Sequence, residues 1–207
     1  NISEAIKLRK IYKNIHIYIL NCGSPININL LKKYNLIPVL NNISEISIWG
    51  KMVGKAYPCV IHVDTGMNRL GINIKDIEYA RNYIYFKKIK IKFIMSHLAC
   101  AEDRINKMNE IQLQKLKQAQ LLLSKITNEN LQSSLCNSSG IWLGKKYHMN
   151  FVRPGAALLG LNPLKSNKNP LKESLSLFTQ ICQIREAKKG SSIGYGGSYI
   201  LKKNSRL

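Results

Sequence analysis

Four short clusters in the 207-residue sequence carry side chains able to do chemistry. The first lies in residues 61–71, Ile-His-Val-Asp-Thr-Gly-Met-Asn-Arg-Leu-Gly, with Asp64 and Arg69. The others are Ser96-His97, Asn137-Ser138-Ser139-Gly140 and Arg153-Pro154-Gly155-Ala156. Arg69 and Arg153 are permanent cations whose planar fork grips anions. His97 can take or give a proton near neutral pH. Ser138 supplies a hydroxyl and Gly155 allows close backbone approach. Gly155 and Ala156 offer N–H groups where a helix begins, a combination that suits phosphate. Taken singly, each has an ordinary use. His97 serves as a core histidine or strand-end cap, Arg69 as a surface ion-pair partner, and Asp64 as the cap of the turn that follows it.

Position sets these residues apart, because each cluster follows an apolar, strand-like run. Strands are expected over 16–20, 36–40, 57–64, 89–97, 131–136 and 149–152, with Pro38 counting against a central place for the second. Helices are expected over 3–12, 28–34, from a cap at Asn42 or Ser44 to 54, over 74–86, and over 108–126. In the last, Met108, Ile111, Leu116, Ala119, Leu122, Leu123 and Ile126 share a face. A small-residue helix should run from Gly155 through Leu161. About six strands alternating with helices imply a parallel sheet with helices outside it. In a β/α barrel the carboxyl ends of the strands converge on one face, and phosphate sites commonly form from the loops after the last two strands. Two strands would then be missing upstream. The opening Asn-Ile-Ser-Glu reads as the start of a helix inside a longer protein. The pattern changes after Pro170, where 174–185 and 191–201 read as strands with no helix between them.

Composition bounds the rest. Apolar residues make up 45%, and no apolar run is long enough for a transmembrane helix. The net charge is +21, from 32 Lys and Arg against 11 Asp and Glu. Such a charge fits a nucleic-acid or anionic-membrane surface. Compositional drift accounts for it better, because Lys, Asn and Ile are abundant together and no basic motif is interleaved with aromatics. The five cysteines, Cys22, Cys59, Cys100, Cys136 and Cys182, contain no C-x-x-C pair. That argues against a zinc site or disulfide framework, so no metal is expected, and for a reducing, cytoplasmic compartment. Cys59, Cys136 and Cys182 read as core residues.

The ordered set resembles the alanine racemase family. It comprises His-Val-Asp-Thr-Gly-Met-Asn-Arg-Leu-Gly, Ser96-His97-Leu98-Ala99-Cys100-Ala101-Glu102-Asp103, Asn137-Ser138-Ser139-Gly140, Arg153-Pro154-Gly155-Ala156 and Gly194-Tyr195-Gly196-Gly197-Ser198-Tyr199. The resemblance implies a partial (β/α)8 TIM-type barrel over 1–170, lacking its first two strands, and the beginning of a C-terminal β domain over 171–207. It implies interconversion of L- and D-alanine by two-base proton transfer on a pyridoxal 5'-phosphate aldimine. The enzyme would be a cytoplasmic homodimer supplying D-alanine for peptidoglycan. Asn137, Ser138, Gly155 and Ala156 would hold the cofactor, and Arg153 would face its ring nitrogen. Arg69 would bind the substrate carboxylate. Tyr195 would be a catalytic base reaching in from the partner subunit, with His97 beside it. A Tyr between glycines is, on composition alone, a packing residue; the ordered set argues otherwise.

Two departures stand out. Many members carry a carbamylated Lys where this sequence has His62. The family's Schiff-base Lys run, of the type Val-Lys-Ala-Asx-Ala-Tyr-Gly, does not occur in these residues. The 207-residue fragment is therefore expected to be inactive by itself. Other readings are a single-domain pyridoxal-phosphate-handling protein and a basic nucleic-acid-binding protein.

Overall fold

A computed structural model of the chain describes residues 1–23, 25–79, 83–164 and 168–207. These residues form two compact units, Asn1–Ser174 and Leu175–Leu207.

The first unit alternates helix and strand. Its elements are α1 (Ile2–Ile11), β1 (Ile17–Ile19), α2 (Ile28–Lys33), β2 (Leu36–Leu40), α3 (Ile43–Met52), β3 (Pro58–His62), α4 (Ile74–Glu78), α5 (Tyr83–Lys88), β4 (Lys90–Met95), α6 (Lys107–Thr127) and β5 (Gln132–Ser134). The strands pair in sequential order, all parallel. Sequential parallel pairing with helical crossovers is how the wall of a β/α barrel is built. Pro38 sits inside this sheet, opposite Ile19 on the last rung of the β1 pairing, where a missing N–H costs least.

Both faces of the sheet are apolar, as a doubly covered parallel sheet requires. One face packs Ile17, Ile19, Leu36, Cys59, Ile61 and Ile94 together with buried helix residues such as Trp49, Phe86 and Leu116. The other carries Ile37, Val39, Val60, Phe93 and Met95, joined by Tyr18 and Phe151. On that face Tyr18, Phe93 and Phe151 stack edge to face, with ring centroids 4.9 and 4.6 Å apart. Strand periodicity of two puts His62 on the same side as Val60, at the carboxyl end of β3.

Several expectations are corrected. Among the described residues the parallel sheet has five strands rather than about six. Residues 149–152 run beside β5, with Asn150 N–H on Ser133 O and Arg153 N–H on Cys136 O. They form no regular strand, because Met149 has a φ of 53° and the Asn150 side chain replaces backbone at the Ser133 N–H. The helix expected over 74–86 is two pieces, α4 and α5. Tyr79 leaves the first in an extended conformation, and residues 80–82 lie outside the described part. The helix expected after Gly155 is a single 3₁₀ turn, Ala156–Leu159, closed by Gly160 at a φ of 75°.

The second unit contains two small antiparallel pairs. β6 (Glu186–Ala187) pairs with β9 (Ser205–Arg206), and β7 (Ser192–Ile193) with β8 (Tyr199–Ile200). Residues 174–185 form no strand; Leu177, Phe178 and Ile181 in this stretch are exposed. Cys182 is exposed, unlike the buried Cys59 and Cys136. Among the described residues no helix is long and apolar enough to cross a membrane.

Candidate active site

The ends of β4 and β5 and the segment beyond Arg153 enclose a cleft of about 280 Å³. It is lined by His97, Asn137, Ser138, Arg153, Gly155 and Ala156, with Glu102 and Ser139 completing its wall. These six residues come from three separate stretches of sequence, and parallel strands deliver them to one end of the sheet.

Arg153 is the electrostatic centre of the cleft. Its guanidinium donates to Ser134 Oγ and to the Ser96 carbonyl, and at 3.4 Å to the Leu135 carbonyl. No carboxylate pairs with it among the described residues. Burial lowers its pKa to about 10, which leaves it protonated at neutral pH. A partly buried cation held only by neutral acceptors favours a ligand that brings negative charge or a lone pair.

Ser138 lines the cleft and faces the Gly155–Ala157 backbone. Its Oγ accepts the N–H of Gly155 at 2.9 Å and that of Ala157 at 3.1 Å. Ala156, between these two donors, lines the cleft. With both lone pairs engaged, the Ser138 hydroxyl can only donate outward. A Cβ on Gly155 would meet nothing within 4 Å, so the space before that residue is open.

Asn137 organises the loop. Its Oδ1 accepts from Gly140 N–H at 2.9 Å, which sets the amide orientation. Its Nδ2 then donates to the Leu98 carbonyl at 3.2 Å and lies 3.4 Å from His97 Nε2. His97 Nε2 is thereby the acceptor nitrogen. Burial first, then the charges of Arg153 and Arg69, lower the His97 pKa to about 4, against a small opposing pull from Glu102. The ring is neutral at physiological pH.

Sequence reasoning left His62 as an open question. It is 7% exposed, and its Nδ1 lies 2.8 Å from Asn41 Oδ1. Burial, Arg153 and His97 lower its pKa to about 4, with Asp64 opposing. The two histidines therefore bring hydrogen-bonding capacity without charge to a site already holding a partly buried guanidinium.

Arg69 lies outside the walls of the cleft. It is exposed on the turn after β3, without a hydrogen bond or ion pair among the described residues, yet its charge reaches both His62 and His97. The turn is held by Asp64, whose carboxylate accepts the N–H groups of Gly66, Met67 and Asn68 at 2.9–3.2 Å. Tyr195 belongs to the second unit. It lies in the tight turn Tyr195–Gly197 after Gly194 and is fully exposed.

Sequence reasoning gave no role to four polar residues near the cleft: Asn41, Thr65, Ser96 and Gln112. One signal was present. Stepping back from Leu116 by four and by seven along α6 gives Gln112 and Asn109, both buried, whereas Ile111 is exposed.

Comparison with known proteins identifies the family. Residues 1–163 match the family "Alanine racemase, N-terminal domain". Alanine racemase from Rickettsia bellii is 43% identical over 99% of the chain, which covers 50% of that protein. The catabolic alanine racemase of Mesorhizobium japonicum is 37% identical over 96% of the chain and 52% of its own length. The crystal structure of alanine racemase from Bartonella henselae, described with covalently bound pyridoxal phosphate, superposes with a TM-score of 0.82 at 33% identity. It is matched by 100% of this chain, which covers 57% of that one. The chain thus spans about half the length of the curated relatives it matches. On this sequence match, with the fold to support it, the chain belongs to the alanine racemase family.

Proposed function

We propose that this chain contributes the cofactor-nitrogen, cofactor-phosphate and substrate-carboxylate contacts of a pyridoxal-phosphate-dependent racemase acting on alanine. The observation that carries the reading is the Arg153 guanidinium, lodged in the cleft without a carboxylate, beside a Ser138 hydroxyl free only to donate. Both suit a phosphorylated heteroaromatic ring. A phosphate oxygen accepts from Ser138, and a ring nitrogen accepts from Arg153. The residues present therefore fit the cofactor. Pyridoxal phosphate, when bound, withdraws electrons from the Cα of an attached amino acid and so acidifies its Cα–H.

The chain's own groups do the rest. Arg153 stays protonated, so it holds the ring nitrogen by a hydrogen bond without transferring a proton to it. That weakens the electron sink and favours a simple proton exchange at Cα over side reactions. Arg69 pairs with the substrate carboxylate. His97, neutral and with its Nε2 lone pair turned to Asn137, donates from Nδ1 to the Tyr195 oxygen of a second copy of the chain, which orients it and favours it as a base. In this reading 1–170 is the barrel part and 171–207 belongs to a β domain. The working enzyme is a cytoplasmic homodimer feeding peptidoglycan synthesis.

The test is binding of pyridoxal phosphate to the purified chain, followed by its absorbance. Wild type should bind. Arg153→Met and Ser138→Ala should each weaken binding about tenfold, the worth of one charge-assisted or well-placed hydrogen bond. Equal affinity in all three would refute the reading. The 207-residue chain lacks a Val-Lys-Ala-Asx-Ala-Tyr-Gly run. It should therefore form no D-alanine from L-alanine above a Tyr195→Phe control.

A further inference from the structure

Behind the cleft lies a buried polar group that none of the assigned roles uses. Gln112 sits on α6, fully buried, in a row otherwise continued by Leu116, Ala119 and Leu123. Its Oε1 accepts from Ala99 N–H at 2.9 Å. Its Nε2 donates to the His97 carbonyl at 2.8 Å and to Thr65 Oγ1 at 3.1 Å. A backbone carbonyl and the N–H two residues later are the pair that a neighbouring parallel strand would engage. One carboxamide thus stands in for the next strand just where β4 has ended, on the segment whose Leu98 carbonyl Asn137 holds as well. Its remaining N–H ties that segment to Thr65, in the turn that carries Arg69. Thr65 Oγ1 in turn lies 2.7 Å from Ser96 Oγ, and the Ser96 carbonyl receives Arg153. Donor and acceptor capacity of the amide is thus used on three partners with one consistent orientation. Gln112 does not line the cleft.

We propose that Gln112 is a positioning residue, which sets the backbone of residues 97–99 and so the place of the His97 ring, and ties that segment to the Arg69 turn. The inference rests on the reading of His97 and Arg69 as site residues. It explains why a helix face that runs on as Leu113, Leu116, Ala119 and Leu123 spends a fully buried position on a primary amide, whose burial is favourable only when every bond is made.

The experiment uses the full 207-residue chain with Gln112→Met, which keeps length and removes the bonds. The Ala99 amide should lose hydrogen-exchange protection while Leu116 keeps its own. The His97 titration, followed by 15N NMR, should move up toward the ordinary imidazole value. Affinity for pyridoxal phosphate should fall about tenfold, the cost of one misplaced bond. A folded Gln112→Met chain whose Ala99 exchange and His97 titration match wild type overturns the proposal. Should that variant not fold, Thr65→Val and Thr65→Ser decide. Movement of His97 in the valine variant, restored by serine, supports the role; an unmoved His97 in both overturns it. Failure of the wild-type chain to bind pyridoxal phosphate would sink the proposed function alone, because the His97 and Ala99 readouts need no cofactor.

Discussion

His62 Nδ1 lies 2.8 Å from Asn41 Oδ1, and that contact decides which nitrogen of the ring carries the proton. The Asn41 amide is oriented by donation from Nδ2 to the Leu20 and Val39 carbonyls, so Oδ1 must accept. His62 is therefore protonated at Nδ1, and its Nε2 lone pair is left available. The expected 15N spectrum shows a single neutral Nδ1–H tautomer from pH 8 down to pH 5, with titration near pH 4. Asn41→Leu should release the tautomer. A His62 titrating at the ordinary imidazole value would contradict this arrangement.

The same lowered values make stability depend on pH. An unfolded histidine titrates near 6.5, whereas His62 and His97 titrate near 4 in the fold. Between those values the unfolded chain binds more protons, so stability rises with pH there. The contribution is complete above about pH 6.5 and is lost as pH falls toward 4. Each histidine adds at most about 1.4 kcal/mol per pH unit. Urea denaturation at pH 7, 5.5 and 4.5 should show this loss, and His62→Gln should roughly halve it, leaving the share of His97. A flat profile in wild type would count against both burials.

Arg9 is a buried cation with a structural task. It donates to the carbonyls of Tyr12 and Lys13 at 3.0 and 2.9 Å, and to those of Tyr34 and Asn35 at 3.0 and 2.9 Å. These are the carboxyl ends of α1 and α2, where positive charge is favourable. Arg9→Met should cost about 2–3 kcal/mol, through carbonyls left without a donor. The exposed Arg104→Met should stay within about 0.5 kcal/mol of wild type. Equal denaturation midpoints for the two would show that Arg9 does no such work.

Gly71 closes the turn that carries Arg69. Its φ is 110°, and a Cβ there would lie 2.8 Å from Asp64 N and 3.1 Å from His62 O. The bonds from Asp64 N–H to Ile72 O and from Ile72 N–H to His62 O pass through the same spot. Gly71→Ala should therefore lower stability by about 2 kcal/mol or more, combining left-handed strain with a backbone clash. It should also speed exchange of the Asp64 and Ile72 amides. The open Gly155 tolerates Ala by this measure, and Gly155→Ala should leave stability near wild type.

Much of this molecule is written locally. Alternating apolar runs and amphipathic segments imply a parallel sheet with helices. Polar clusters that interrupt those runs at Asp64, His97 and Asn137 mark the carboxyl ends of its strands, whereas the one at Arg153 follows a run that forms no regular strand. Such signals survive in a sequence because strand and helix periods are short-range properties. The caps are equally local: Asn42 accepts from Glu45 N–H, while Glu45 reaches Asn41 N–H, one residue before the position a capping box would use. What the tertiary structure alone decided is the polar scaffold around the cleft. Gln112 finds the His97 carbonyl from 15 residues away, Thr65 finds Ser96 from 31, and His62 finds Asn41 from 21. The loss of a sixth strand, where the Asn150 side chain takes the Ser133 N–H, belongs to the same class. A side-chain amide or hydroxyl has no periodicity of its own. Whether it is a solvated surface group or a fully bonded support depends on which strand end the fold brings against it, and on the cost of burying it unpaired.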